Sequence, residues 1–112
     1  MNTDTEKLNI YIAGPMRGLP DLNRAEFHAA AYKLEMDGIY QVHNPAEWDE
    51  NLGLTAEDLC TKKELLKAMK RDMLAIFDCD CIYMLRGWEQ SAGARLEHSL
   101  ATFMGIIIMY QV

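Results

Sequence analysis

The stretch Leu8-Asn9-Ile10-Tyr11-Ile12-Ala13-Gly14-Pro15 decides the fold. Its apolar residues alternate and then run together, the pattern of a short buried strand, and Gly14-Pro15 closes it with turn chemistry. Downstream, Asn23 followed three residues later by Glu26 has the spacing of a capping box. Phe27, Ala30, Ala31 and Leu34 then form one helical face, and Gly38 is placed to stop it. Tyr40–His43 is a second short strand, stopped at Asn44-Pro45. Ala46–Leu54 is polar, contains a glycine and lacks periodicity, so it reads as a loop over the sheet edge.

Two further capping signals, Thr55 with Asp58 and Thr61 with Glu64, predict a short helix leading into a longer one that ends near Phe77–Asp78. Cys81–Leu85 is a third strand and Arg86–Gly93 a turn. A helix then runs to about Met104, with Leu96, Leu100, Phe103 and Met104 on one face. Gly105 breaks it, and Ile106–Tyr110 is a fourth strand. This alternation implies parallel strands joined by right-handed helical crossovers. The expected fold is a single α/β domain over residues 1–112, a small Rossmann/flavodoxin-like three-layer sandwich with a four- to five-stranded parallel sheet. Ligands of such sheets bind outside the carboxyl ends of the strands. The segments facing that edge are Gly14–Leu22, Asn44–Leu54 and Arg86–Gly93.

Composition narrows the function. Seventeen acidic against eleven basic residues give a formal charge of −6, which argues against a nucleic-acid polymer as partner. A small anion remains compatible, since one or two placed donors can outweigh a diffuse surface charge. The N-terminus lacks the pattern of a secretory signal, and no apolar run approaches the roughly 20 residues of a membrane span. Three cysteines, Cys60, Cys79 and Cys81, cannot all pair with one another. They read as buried free thiols of a cytoplasmic protein. Neither they nor His28, His43 and His98 show metal-ligand spacing, so no metal and no cofactor is expected. Eight methionines and the small core make a homo-oligomer interface unsurprising.

Three constellations could carry chemistry. Ala13-Gly14-Pro15-Met16-Arg17-Gly18 follows the first strand: glycines admit an anion to backbone N–H groups, and Arg17 could complete the site. A plain turn with a solvated arginine is the alternative. Ser91-Ala92-Gly93-Ala94-Arg95-Leu96-Glu97 opens the last helix. Ser91 is a natural N-cap beside free N–H groups, and Glu97 has the small neighbours Gly93, Ala94 and Ala101 on its flank. The alternative is a surface glutamate paired with Arg95 or His98. Asp72 falls on the apolar stripe of its helix with Leu65, where a carboxylate either finds partners or takes on the raised pKa of a general acid. Trp48 and Trp88 lie in edge segments where an indole could stack on a base, and Trp88 could equally plug the core beside the last helix.

Together these elements resemble the nucleoside 2-deoxyribosyltransferase superfamily over most of the chain. IYIAGPMRG is similar to its first strand and turn, Asp72 through Asp80 to Tyr83 to its helix-to-strand element, and Ser91, Gly93 and Glu97 to its nucleophile motif. Closer still, the sequence resembles small, often phage-encoded proteins assigned only to a domain of unknown function. The resemblance implies that Glu97 attacks the anomeric carbon of a (deoxy)ribose, that Asp72 serves the departing base, and that Tyr11 orients the Glu97 carboxylate. Transferases usually carry Asp where this chain has Ser91. Relatives that hydrolyse nucleoside 5′-monophosphates carry Ser there and an Arg matching Arg17. A carboxylate at that helix N-terminus would repel a phosphate, whereas a hydroxyl, N–H groups and Arg17 would attract one. The expected activity is therefore an N-glycosidase of (deoxy)nucleoside 5′-monophosphates, with Gly14, Met16, Arg17, Ser91 and Gly93 on the substrate. Base exchange and nucleotide binding without turnover are the alternatives. The resemblance also implies a homodimer or larger homo-oligomer.

Overall fold

The computed structural model describes residues 6–112, so residues 1–5 of the expected domain lie outside it. Four strands, β1 (Leu8–Ala13), β2 (Tyr40–His43), β3 (Cys81–Met84) and β4 (Ile107–Tyr110), form one sheet in the order β2-β1-β3-β4, with every pairing parallel. Four helices, α1 (Arg24–Met36), α2 (Pro45–Asn51), α3 (Lys62–Phe77) and α4 (Ala92–Met104), accompany it. The chain is thus a small α/β sandwich of the Rossmann/flavodoxin-like kind, with four strands.

The strand period of two divides β1 between two cores. Ile10 and Ile12 pack with Phe27, Ala30 and Leu34 of α1, and with Cys81 and Tyr83 of β3. Tyr11 and Ala13 point to the opposite face, with Ile76 of α3, Ile82 and Met84 of β3, and Ala94 and Ala101 of α4. Between β1 and β3 the strand order reverses, so their carboxyl ends part there and leave the crevice expected of such sheets.

Local signals account for most boundaries. Thr55 and Asp58 bond reciprocally, at 2.9 and 3.1 Å, and the Thr61 hydroxyl accepts from the Glu64 N–H at the start of α3. Gly105, at φ +74°, ends α4. The Asp80 carboxylate accepts from the Asn9 N–H at 2.8 Å, tying the β3 entrance to β1.

Four expectations need correction. Ala46–Leu54 is not a loop: most of it is α2, because Asn44-Pro45 starts a helix as well as ending a strand. The Asn44 side chain accepts from the Ala46 N–H at 3.1 Å, and Pro45 occupies the first turn, where its missing N–H costs nothing. Asn23 does not cap α1. With Asp21 and Leu22 it adopts a left-handed backbone (φ +48°, +54° and +59°), and its amide donates to the Pro15 carbonyl at 3.0 Å. This run tucks Leu22 against Leu59 and Ala68. On α4, Leu100 and Met104 pack inward while Leu96 and Phe103 are exposed. Cys79 and Cys81 are buried, but Cys60 is exposed, and all three are free thiols. Among the described residues no helix is long and apolar enough to cross a membrane.

Candidate functional site

A cavity of about 650 Å³ opens at the carboxyl edge of the sheet, walled by the loop after β1, by α2 and α3, and by the first turns of α4. The volume lies within the range of small-molecule sites. Tyr11, Gly14, Met16, Arg17, Asp72, Ser91, Gly93 and Glu97 all line it.

Tyr11 lies on the sheet face covered by α3 and α4, and its side chain is fully buried. Its hydroxyl donates to Glu97 Oε2 at 2.7 Å, joining residues 86 positions apart. Glu97 reaches this point because it stands on the flank of α4 where Gly93, Ala94 and Ala101 leave room. A Cβ at Gly93 would meet nothing within 4 Å, so that side of the helix is open. Glu97 pairs with neither helix neighbour: Arg95 donates to the Glu89 carbonyl at 2.8 Å, and His98 bonds the Tyr110 hydroxyl at 2.9 Å.

Burial pushes the Glu97 pKa up to about 8, opposed by the Tyr11 hydrogen bond and the Arg71 charge and reinforced by Asp72. Burial likewise lifts Asp72 to about 6, against the pull of the Arg71 charge and hydrogen bonds. The Tyr11 phenol is raised well above its ordinary value by burial and by the neighbouring carboxylates, so it remains a donor. With Glu97 near 8 and Asp72 near 6, the pair holds about one proton between pH 6 and 8, resting mainly on Glu97 in the free protein. Nucleophilic attack with acid assistance needs the same total, with the proton moved to Asp72.

Arg71 and Asp49 complete the constellation. Arg71 Nη2 donates to Asp72 Oδ1 at 2.7 Å, with Nε on the same oxygen at 2.9 Å. Its Nη1 lies 2.9 Å from Asp49 Oδ1. The guanidinium also covers the Trp48 ring, 5.2 Å from its centroid. Asp49 belongs to the helix that the sequence reading took for a loop; the Asn-Pro start and the i, i+3 spacing of Ala46 and Asp49 could have placed it on a buried face. Neither tryptophan lines the cavity. Trp48 packs beside Tyr11 and His43, and Trp88 stacks on His98 at 4.3 Å, plugging the core beside α4.

Near the start of α4 the cavity wall carries groups able to bond an anion. Ser91 caps α4, accepting from the Ala94 N–H at 3.2 Å, and the Ala92 and Gly93 N–H groups of the first turn lie in the wall. Arg17 and Gly18 line the same cavity, with Arg17 exposed. Gly14 has a packing role as well, since a Cβ there would come within 2.7 Å of the Leu85 Cβ. Among the described residues no three His, Cys, Asp or Glu side chains gather as metal ligands would.

Residues 8–110 match the family described as Domain of unknown function (DUF4406). The chain belongs to the DUF4406 family. Its match spans every strand and helix above, so cavity and carboxylates both fall within the family's span. No curated protein matches the chain.

Proposed function

We propose that this DUF4406 protein is an N-glycosidase that cleaves the base–sugar bond of a (deoxy)nucleoside 5′-monophosphate. The observation that carries this reading is the contact of Tyr11 with Glu97 beside Asp72, in a cavity whose other end is a helix N-terminus with Arg17. A half-buried carboxylate oriented by a phenol is a nucleophile in position, and a second carboxyl group with a pKa near neutrality is a general acid.

On substrate binding the proton shared by the pair passes from Glu97 to Asp72. In the first step the Glu97 carboxylate then attacks C1′ while the Asp72 carboxyl gives that proton to the base. The C1′–N bond breaks, its electron pair leaves with the base, and a glycosyl ester forms on Glu97. Water then attacks C1′ and loses a proton to Asp72, releasing the sugar phosphate and restoring both groups. Tyr11 donates to the carboxylate throughout, favouring the ionised form that attacks. The N–H groups at the start of α4, the Ser91 hydroxyl and Arg17 hold the 5′-phosphate. Free thiols and a metabolite substrate suit a reducing cytoplasm. Exposed Leu96 and Phe103 on α4 offer an apolar surface for self-association.

The test is a panel of nucleosides and their 5′-monophosphates, with and without an acceptor base, followed by chromatography of free base. Release from monophosphates alone is expected. Exchange only with added base would make the protein a transferase, and binding without release would make it a nucleotide-binding protein. Glu97→Ala should abolish turnover; undiminished release in that variant removes Glu97 from the mechanism.

A further inference from the structure

Asp49 is a buried carboxylate, 2% exposed, in the cavity wall. Its Oδ1 is sealed against Arg71, with Nη1 at 2.9 Å, and among the described residues no donor is seen on its other oxygen, Oδ2. A carboxylate has about four acceptor sites, and leaving them empty away from water is costly. Arg71 is not itself in the wall. It lies behind, against Trp48, with its fork holding Asp49 and Asp72 side by side.

Along the cavity the groups run Glu97, Tyr11, Asp72, Asp49. Asp72 acts on both Glu97 and Asp49's neighbourhood, whereas Asp49 is felt at Asp72 and Arg71 but not at Glu97. This inference rests on the glycosidase reading for its orientation: with the sugar at Glu97 and the glycosidic nitrogen near Asp72, the outer edge of the base faces Asp49. Around that end Leu65 and Met69 supply apolar walls. The Asn23 amide donates to Pro15, and the Arg71 guanidinium is turned to the carboxylates. The polar side chains that α2 and α3 contribute to the cavity wall are the two carboxyl groups, Asp49 and Asp72.

We propose that Asp49 accepts a hydrogen bond from an exocyclic amino group of the base, so that the site takes amino-bearing nucleotides over their keto counterparts. An amino group supplies the donor that Asp49 lacks, whereas a keto oxygen in its place sets an acceptor against a carboxylate. A site built to bond one polar group rejects the analogue lacking it strongly.

The experiment uses two pairs that differ at that position, dCMP with dUMP and dAMP with dIMP. Base release is measured with the wild-type protein, and affinity by calorimetry with Glu97→Gln, which keeps each nucleotide intact. The amino member is expected to be preferred at least about tenfold in one pair. In Asp49→Asn, whose amide can turn an N–H towards a keto oxygen, the preference should fall below about threefold or invert. Equal treatment within both pairs, a keto preference in the wild type, or an unchanged ratio in a folded Asp49→Asn protein overturns the proposal. Should that variant not fold, the wild-type comparison decides alone. Discrimination in calorimetry without release would sink the glycosidase reading and support the base assignment. Release without discrimination would do the reverse. No binding of any of the four nucleotides overturns both.

Discussion

Glu97→Gln should cost the protein its turnover and make it more stable in alkaline solution. Glutamine keeps the shape and can still accept from Tyr11, but it never has to ionise inside the cavity. In the wild type the Glu97 pKa stands near 8 in the fold, against roughly 4.3 in an unfolded chain. Across that window the native state binds more protons than the unfolded state, so stability falls as pH rises and levels off above about 8. Complete desolvation would make the loss about 5 kcal/mol by linkage. Glu97 is partly accessible and the cavity admits water, so the realised loss is about 2–4 kcal/mol. The variant should therefore exceed the wild type by about that margin at pH 8.5, and by roughly half of it at pH 6.0. Going much lower brings the protein towards its isoelectric point of about 4.9, where association would intrude. Urea denaturation at the two pH values reads the effect as a midpoint shift of roughly 1–3 M at pH 8.5. A margin that does not change with pH, or a variant less stable at pH 8.5, would refute the reasoning that Glu97 is held desolvated.

The proton shared by Glu97 and Asp72 should give base release a bell-shaped kcat/KM profile with limbs near pH 6 and 8. Activity that climbs steadily through pH 9 would be inconsistent with Asp72 as the acid. Replacing Arg71 by Met leaves two adjacent carboxylates without a counter-charge, costing about 2–4 kcal/mol in urea denaturation because the guanidinium is a quarter exposed. The same change should move the acid limb upward, since Arg71 holds Asp72 down; a loss under about 0.5 kcal/mol would mean the pair is only a surface contact. Gly14→Ala drives a methyl to within 2.7 Å of the Leu85 Cβ, and thermal melting should show about 1–3 kcal/mol of destabilisation. An unchanged melting temperature would show that the first turn yields freely.

Much of the site was legible because its residues carry strong local signals. Glu97 stands out among small helix neighbours, Asp72 on an apolar stripe, and Ser91 where a helix must begin. Asp49 and Arg71 carry no such mark. Asp49 lies in a polar, glycine-containing stretch without periodicity, where Asn44-Pro45 signals a strand end as readily as a helix start, and Arg71 resembles any solvated arginine until α2 packs beside α3. Asn23 misled in the other direction: its spacing fits a cap, but a left-handed backbone turns its amide to Pro15. Leu96 and Phe103 show the limit of helical periodicity, which groups residues on a face without saying whether anything covers it.

By itself the sequence determined the strand–helix alternation, and with it a parallel sheet whose carboxyl edge opens as a crevice. Those are consequences of side-chain period and capping chemistry, which act over a few residues. Tertiary structure alone decided that the Tyr11 hydroxyl meets Glu97, that both carboxyl groups are raised, and that Arg71 joins Asp72 to Asp49. Each depends on burial and on contacts between distant elements: a pKa is set by what excludes water and which charges lie nearby, not by sequence neighbours.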